Sequence, residues 1–224
     1  MPKLATLSDS GELRLNMGPY ADQRLNGDKN DGAETFTVTH VSGSAGDEKV
    51  TVSSPLASHD QTYEHVKKLI IEGGEGSDHI TVSGVQSEIV ISGGAGDDVI
   101  DLTGSTGRAT IHGDAGDDDI TGGGGNDVIY GGLGGDTIHG GGGRDIVFGD
   151  GETLGDTFAD ASIAGNDGDD HIYGGADDDI LFGAGGSDYI DGEGGSDILI
   201  GDAGTVALTN AASPTPGRST GTRA

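Results

Sequence analysis

The sequence predicts an all-β protein, a right-handed parallel β-roll with an N-terminal β cap, and three observations support this. A nine-residue unit repeats, glycines recur at fixed places in the unit, and an aliphatic residue stands at its eighth place. Four units follow one another without a break from Gly113 to Phe148: GDAGDDDIT, GGGGNDVIY, GGLGGDTIH and GGGGRDIVF. A fixed period of this kind is typical of repeat architectures, whose units stack on their neighbours.

Each place in the unit has a physical role. All four units have Gly at positions 1 and 4, Asp at position 6 and an aliphatic residue at position 8. The glycines allow positive φ angles in a tight turn, and the last three residues form a short strand whose position-8 side chain points to one face. We expect two units to make one coil with a turn at each edge. The coils then stack into two short parallel sheets around a column of Ile, Val and Leu.

The same register returns beyond this run. Single copies begin at Gly73 and Gly93, and four more begin at Gly165, Gly174, Gly183 and Gly192, which gives ten copies in all. Some copies depart from the pattern. Asp114, Asn166, Ala184 and Glu193 replace Gly at position 2, and Asp177 replaces Gly at position 4.

The Asp at position 6 indicates a hard divalent cation. Stacked turns would bring two carboxylates together across a gap, where they repel unless a cation lies between them. Carboxylates supplemented by backbone carbonyls suit calcium, which takes six to eight oxygen ligands at about 2.3–2.6 Å. Magnesium demands stricter octahedral geometry, and zinc or copper would require Cys and clustered His, of which Cys is absent.

The pattern GGxGxDxUx resembles the calcium-binding nonapeptide repeat of the hemolysin-type, or RTX, family. The resemblance covers Gly73 to Ile200 and implies a calcium-loaded parallel β-roll. It also implies a bacterial protein that a type I system exports unfolded and that folds outside the cell. The metal role of the family carries over to the Asp at the sixth place of each copy: Asp78, Asp98, Asp118, Asp127, Asp136, Asp145, Asp170, Asp179, Asp188 and Asp197.

The spacing of the repeat units along the chain predicts which turns lie on the same edge and so share an ion. Turns nine residues apart lie on opposite edges, and turns eighteen to twenty apart stack on the same edge. A seventh pair, Asp145 with Asp170, is expected only if the interruption between them counts as one turn. The six expected pairs are Asp78/Asp98, Asp98/Asp118, Asp118/Asp136, Asp127/Asp145, Asp170/Asp188 and Asp179/Asp197.

The composition excludes several function classes. The 224 residues carry 46 Gly, no Cys, no Trp and a formal net charge of -28. This charge excludes nucleic-acid binding and disfavours anionic membranes, and no apolar run is long enough for a transmembrane helix. The N-terminal residues lack the apolar core of a conventional signal peptide. Without calcium, a chain of such high charge and low hydrophobicity is expected to be disordered.

Three regions follow from these patterns. Residues 1–72 contain alternating apolar residues typical of strands (Leu13, Leu15 and Met17, Phe36 and Val38, Val50 and Val52), and we expect them to cap the roll, with a separate binding domain as the alternative. Residues 73–204 form the roll, with an insertion at 149–164. Residues 205–224 are expected to be disordered. In the early coils the motif occupies only one edge.

The chain is not expected to be an enzyme, and no HExxH motif occurs. His79, His171 and His139 lie at outward places and are expected to be solvated. The predicted function is calcium binding by a non-catalytic module of a secreted or surface bacterial protein, located outside the cell, whose protein partner is unknown. The alternatives are the C-terminal roll of a secreted hydrolase whose catalytic part is absent here, and a repeat fragment of a large adhesin.

Overall fold

The computed structural model describes residues 3–17, 32–55, 57, 59–150, 169–183, 185–201 and 207–209. Within these ranges the protein is all-β, and none of the described residues forms a helix long and apolar enough to cross a membrane. The described strands are β1 (Ala5–Leu7), β2 (Glu12–Leu15), β3 (Thr35–Ser44), β4 (Asp47–Ser53), β5 (Gln61–Val66), β6 (Lys68–Glu75), β7 (His79–Ser83), β8 (Glu88–Ala95), β9 (Val99–Asp101), β10 (Ala109–Ala115), β11 (Asp119–Thr121), β12 (Val128–Leu133), β13 (Thr137–Gly142), β14 (Ile146–Asp150), β15 (His171–Ala176), β16 (Ile180–Phe182), β17 (Tyr189–Gly194), β18 (Ile198–Ile200) and β19 (Ala207–Thr209).

The strands form two sheets that the chain visits in alternation. Sheet A has the order β1-β2-β6-β8-β10-β12-β14-β16-β18, and sheet B has the order β19-β17-β15-β13-β11-β9-β7-β3-β4-β5. From β6 onward every neighbouring pair in either sheet is parallel, as in Ile111 opposite Ile129 and Ile120 opposite Ile138. The predicted parallel β-roll is therefore confirmed.

The core is the expected column of aliphatic side chains. Because side chains alternate along a strand, position 8 of each unit faces the interior between the sheets while positions 7 and 9 face outward. The inward residues are at most 3% exposed. In sheet A they are Ile71, Ile91, Ile111, Ile129, Val147, Leu181 and Leu199, and in sheet B they are Phe36, Ile80, Ile100, Ile120, Ile138, Ile172 and Ile190.

The N-terminal strands extend both sheets. In sheet A, β2 pairs in parallel with β6, and β1 lies antiparallel on β2. In sheet B, β3 pairs in parallel with β7 and then continues as the antiparallel meander β3-β4-β5. The expected alternation is confirmed, since Leu13, Leu15, Met17, Phe36, Val38, Val50 and Val52 are all buried. The expected boundary after residue 72 falls inside β6, which joins this segment to the first repeat turn.

Outward side chains stack along the roll. His112, Tyr130, Phe148 and Phe182 form a continuous stack on sheet A, with ring centroids 4.7–5.1 Å apart. On sheet B, His139 lies at an outward place, as expected, where it stacks on Tyr173 at 4.6 Å and is half-buried. His79 and His171 are exposed, as expected.

The insertion expected at 149–164 and the unit expected to begin at Gly165 lie mostly outside the described residues. In the structure Gly149 takes the place of the first glycine of that turn, because a Cβ built on Gly149 would collide with Oδ2 of Asp170. Asp170 still completes the turn before β15. The connection from Gly149 to Asp170 therefore links β14 of sheet A to β15 of sheet B, as a single turn does elsewhere in the roll.

An eleventh unit follows the tenth. Residues 205–224 were expected to be disordered, but Ala207–Thr209 form β19, where Leu208 lies opposite Ile190. Counted from Gly201, the unit reads GDAGTVALT, with Gly at positions 1 and 4, an aliphatic residue at position 8 and Val206 where Asp is expected. Because this unit lacks Asp at position 6, the repeat pattern defined by that residue does not include it.

The turn glycines are required by backbone geometry. Positions 2 and 4 adopt positive φ in most turns, for example 120° at Gly132 and 124° at Gly134. The replacements at these places do the same, with φ of 75° at Asp114, 79° at Asp177 and 56° at Glu193. These three residues accept a conformation that costs an L-residue about 1–2 kcal/mol.

The crowding of stacked turns can be tested with two alanine variants. Gly132→Ala and Gly46→Ala both place a side chain at positive φ, but only at Gly132 would the new Cβ meet the backbone of Asp114, whereas the space around Gly46 is open. We expect Gly132→Ala to lower the free energy of unfolding clearly more than Gly46→Ala, whose cost should stay near about 1–2 kcal/mol. Denaturant unfolding in saturating calcium measures both, and equal costs would contradict the close stacking.

Candidate metal centres in the stacked turns

The position-6 aspartates are buried. All ten are between 0% and 4% exposed, although carboxylates are rarely buried without compensation. Each one ends a glycine turn and directly precedes an outward position-7 residue. The turn thereby folds the carboxylate back into its own interior.

One oxygen of each carboxylate is bonded to the neighbouring turn. The backbone N–H of one aspartate donates to Oδ1 of the aspartate on the next turn of the same edge, as in Asp127 N–H to Asp145 Oδ1 at 2.8 Å. These bonds form two continuous rows. The long ladder is Asp78, Asp98, Asp118, Asp136, Asp170 and Asp188. The short ladder, on the other edge, is Asp127, Asp145, Asp179 and Asp197.

The ladders correct the predicted pairing. All six expected pairs are stacked, but the conditional seventh pair is wrong because Asp145 and Asp170 lie on opposite edges. Instead Asp136 stacks on Asp170 and Asp145 on Asp179, each with a bond across the interruption at 2.7 and 2.8 Å. The long ladder thus has five stacked pairs and the short ladder three, eight in all.

The second carboxylate oxygen lies in a cradle made by the first glycine of the turn. A Cβ built on Gly140 would lie 2.8 Å from Oδ2 of Asp145 and 2.5 Å from the carbonyl oxygen of Gly174 in the next turn. Gly174 shows the same arrangement with Asp179 Oδ2 at 2.6 Å and Gly192 at 2.9 Å. A carboxylate oxygen and a carbonyl oxygen therefore converge where any larger residue would place a methyl group. The cradle recurs at Gly73, Gly93, Gly113, Gly122, Gly131 and Gly149.

Several of these oxygens have no hydrogen-bond donor among the described residues. Oδ2 is buried and unpaired in Asp98, Asp118, Asp127, Asp136, Asp145 and Asp179. A buried, unpaired carboxylate oxygen is costly, and converging hard oxygens are the ligands that calcium prefers. The residues present fit a calcium ion. The geometry also corrects the expectation that paired carboxylates simply face each other, because Oδ1 is bonded to backbone and only Oδ2 is available.

Backbone oxygens must supply much of the coordination. Within the described part of the chain, no point brings three Asp, Glu or His side chains together as a metal cluster. A calcium ion in these turns would rely on Oδ2, on the glycine carbonyls of the cradle and on further turn carbonyls or water. That requirement explains why the motif combines one acid with several glycines.

Burial strongly affects the acidity of the ladder carboxylates. Desolvation raises the pKa of Asp118, Asp145 and Asp179 to about 7, and the pKa of Asp98, Asp127 and Asp136 to about 6. The backbone N–H donated to each carboxylate acts in the opposite direction. Neighbouring carboxylates raise the pKa further, as Asp127 does for Asp145. Without a cation, burial therefore makes the ionised form of these carboxylates less favourable than it is in water.

Position 5 carries a second, exposed row of contacts that sequence reasoning missed. In five stacked pairs of turns, the position-5 N–H of the later turn donates to the position-5 side chain of the earlier one, as in Gly135 to Asp117 Oδ1 at 2.9 Å and Ser187 to Asp169 Oδ1 at 2.7 Å. The direction is opposite to that of the buried ladders. Recurrent Asp or Asn at position 5 (Asp97, Asp117, Asn126, Asp169, Asp178) was the signal in the sequence.

The early coils lack position-6 aspartates on one edge, as expected. The register of β8 and β10 places Ile89 and Ala109 where the short ladder has aspartate. Ala109 N–H still donates to Asp127 Oδ1 at 2.7 Å, so the short ladder begins on an apolar unit. Its first stacked pair is therefore Asp127 with Asp145.

Comparison with known proteins agrees with this geometry. A model of the RTX calcium-binding nonapeptide repeat, comprising four copies, matches residues 90–104, 103–138, 129–152, 159–190 and 183–205. The fold and turns define a calcium-binding β-roll. The chain belongs to the RTX calcium-binding nonapeptide repeat family, whose ion is Ca²⁺. No curated protein and no solved structure matches the chain.

The raised pKa values predict an unusual pH dependence. A carboxyl whose pKa is higher in the folded state than its unfolded value of about 3.9 binds its proton more tightly when folded, so stability falls as pH rises between these values. We expect the calcium-free chain to contain more β structure at about pH 5 than at about pH 8.

The calcium requirement should change in the opposite sense. Because the ligands must lose their protons to bind metal, the calcium concentration at the folding midpoint should fall as pH rises from about 5 to about 8. Circular dichroism titrations across this range measure both effects. A midpoint that does not change with pH would show that the raised-pKa aspartates are not ligands.

Proposed function

We propose that the chain is a non-catalytic calcium-binding module of a secreted or surface bacterial protein, and that it folds when calcium fills the turns outside the cell. The observation that carries this proposal is the repeated cradle, in which a buried Oδ2 and a glycine carbonyl converge beside a missing Cβ. The ten position-6 aspartates are the proposed ligands. Eight stacked pairs offer eight places for an ion.

Electrostatics supports coupling between binding and folding. The chain has a formal net charge of -28, and folding buries ten carboxylates in the turns. Burial of a charge is strongly unfavourable unless an opposite charge accompanies it. A calcium ion brings two positive charges to each pair, and when a site does not exist in the unfolded chain, binding free energy becomes folding free energy.

The use of the acidic residues supports a structural role over a catalytic one. Adjacent acids such as Asp169 and Asp170 could suggest acid–base chemistry, but they point to different environments. Asp170 is buried and accepts the N–H of Asp136, whereas exposed Asp169 accepts the N–H of Ser187. Both carboxylates hold one turn to another.

The proposed ligands can be tested against a matched control. The double variant Asp127→Asn/Asp145→Asn removes two buried carboxylates, and Asp97→Asn/Asp117→Asn removes two exposed ones of equal charge. We expect the first to raise the calcium midpoint of folding at least about tenfold, a loss typical of damaged metal sites, and the second to change it little. Circular dichroism measures both midpoints, and equal shifts would mean that only net charge matters.

The proposed extracellular location can be tested by measuring the calcium affinity of the chain. Extracellular calcium modules bind in the range of about 0.1–1 mM, and we expect the folding midpoint of the native chain to lie there. A chelator should then melt the roll cooperatively, as followed by circular dichroism and hydrodynamic radius. A midpoint below about 1 µM, or a compact β-structured chain in chelator at neutral pH, would contradict folding outside the cell.

A further inference from the structure

We propose that the outer face of sheet A packs against the same face of a second copy of this chain, so that folded rolls associate as a reversible dimer. This inference goes beyond the proposed calcium function and rests on it only because the face exists when the roll is folded. We call this surface the apolar face. It consists of the two outward rows, at positions 7 and 9 of the units, on β8, β10, β12, β14, β16 and β18.

The apolar face is uncharged although the chain is strongly acidic. Strand register places its two rows side by side along six strands. Nine of its twelve places hold an aliphatic or aromatic residue, and none holds Asp, Glu, Lys or Arg. The position-7 row is Val90, Thr110, Val128, Ile146, Ile180 and Ile198, and the position-9 row is Ser92, His112, Tyr130, Phe148, Phe182 and Ile200.

The outer face of sheet B provides an internal comparison, because the same fold builds it from the same positions. From β7 to β17 only Val99, Tyr173 and Tyr189 are aliphatic or aromatic, and three places hold aspartate. The two rows are His79, Val99, Asp119, Thr137, His171 and Tyr189, and Thr81, Asp101, Thr121, His139, Tyr173 and Asp191. The roll therefore does not require an apolar outer face. A contiguous apolar patch on one side of an acidic protein marks an interaction surface.

The aromatic stack limits what the apolar face can bind. The rings of His112, Tyr130, Phe148 and Phe182 are within 10° of parallel to their neighbours, so Tyr130 and Phe148 have a ring on either side. Their planar faces are occupied, and only ring edges point outward. A sugar or a planar ligand that requires an open ring face is therefore disfavoured. The half-buried aliphatic row beside the stack, which ends at Ile198 with 46% exposed, suits another broad apolar surface.

The shape and size of the apolar face fit a second copy. Two pleated sheets pack face to face about 10 Å apart when both inner faces are apolar. Six strands and the residues from position 5 to position 2 cover about 25 Å by 20 Å, or about 500 Å² for each copy. Stable interfaces bury about 800 Å² on each partner, and weaker, transient ones bury less. We therefore expect a dimer that forms reversibly, with a dissociation constant in the micromolar range or weaker.

Charges at the two ends of β10 favour one arrangement of the copies. Arg108 is exposed at the amino end and Asp114 lies at the carboxyl end, each three residues from Ile111 and each on the outer side of the strand. A two-fold axis along the roll would lay β10 antiparallel over β10 of the other copy. Arg108 would then face the partner's Asp114, and the reverse pair would form at the other end. The sequence of β14 repeats this spacing with Arg144 and Asp150.

Sedimentation of the full-length chain in saturating CaCl₂ tests the dimer. The native chain should change from 22.3 kDa to twice this mass as its concentration rises from about 1 µM to about 1 mM. Val128→Lys/Ile146→Lys, which places two charges on the apolar face, should remain a monomer throughout. Thr121→Lys/Thr137→Lys adds the same charge to the outer face of sheet B and should dimerise like the native chain. A native chain that stays monomeric, or equal behaviour of the two variants, would overturn the proposal.

A single charge reversal tests the same interface without altering the apolar rows. Arg108→Glu should raise the dissociation constant at least about tenfold, because it places like charges opposite each other. Lys49→Glu makes the same change of charge in the meander of sheet B and should have little effect. Since Arg108 also acts on the pKa of Asp127, circular dichroism must first show that each variant is folded in the calcium used. An unchanged dissociation constant in Arg108→Glu would overturn the arrangement about the two-fold axis.

The outcomes separate this inference from the proposed function. A native chain that neither binds calcium nor folds with it would overturn the proposed function. A chain that folds with calcium but stays monomeric would overturn only the dimer. If that monomer binds neutral phosphatidylcholine vesicles and Val128→Lys/Ile146→Lys does not, the apolar face would belong to a lipid surface instead, and the proposal of a second copy would be wrong.

Discussion

The buried carboxylate at the end of each turn is the constraint on which the fold depends. Its Oδ1 holds the backbone of the neighbouring turn, and its Oδ2 fills the space beside the first glycine. A neutral isostere could keep the first contact but not attract a cation to the second. The same side chain thus fixes the spacing of the turns and creates the electrostatic cost that calcium offsets.

The thin core follows from this arrangement. Each unit contributes one inward aliphatic side chain, which is too little apolar burial per residue to offset the entropy of ordering a glycine-rich chain. Turn-to-turn hydrogen bonds and the ions they frame must provide the rest. The exposed position-5 row adds bonds of opposite direction on the outside of five stacked pairs of turns, and these turns are bonded to their neighbours both inside and outside.

The sequence predicted the parts of this structure that repeat. The nine-residue period specified the two sheets and the column of position-8 side chains. It also specified which face of each strand is buried, because side chains alternate between the two faces of a strand. It also specified six of the stacked pairs. It could not place the interruption, since the glycine that starts that turn, Gly149, lies far in sequence from Asp170, which ends it. The unit that contains Val206 was missed because it ends in a strand, β19, but has valine in place of the aspartate by which the pattern was recognised.

The interruption has a consequence for how such a chain can vary. Asp136 and Asp170 are 34 residues apart, yet their hydrogen bond matches the one between Asp118 and Asp136, which are 18 apart. The number of residues between Gly149 and Asp170 therefore does not change how the turns on either side of them stack. The later strands of both sheets thus keep the register of the earlier ones although the connection before them is longer.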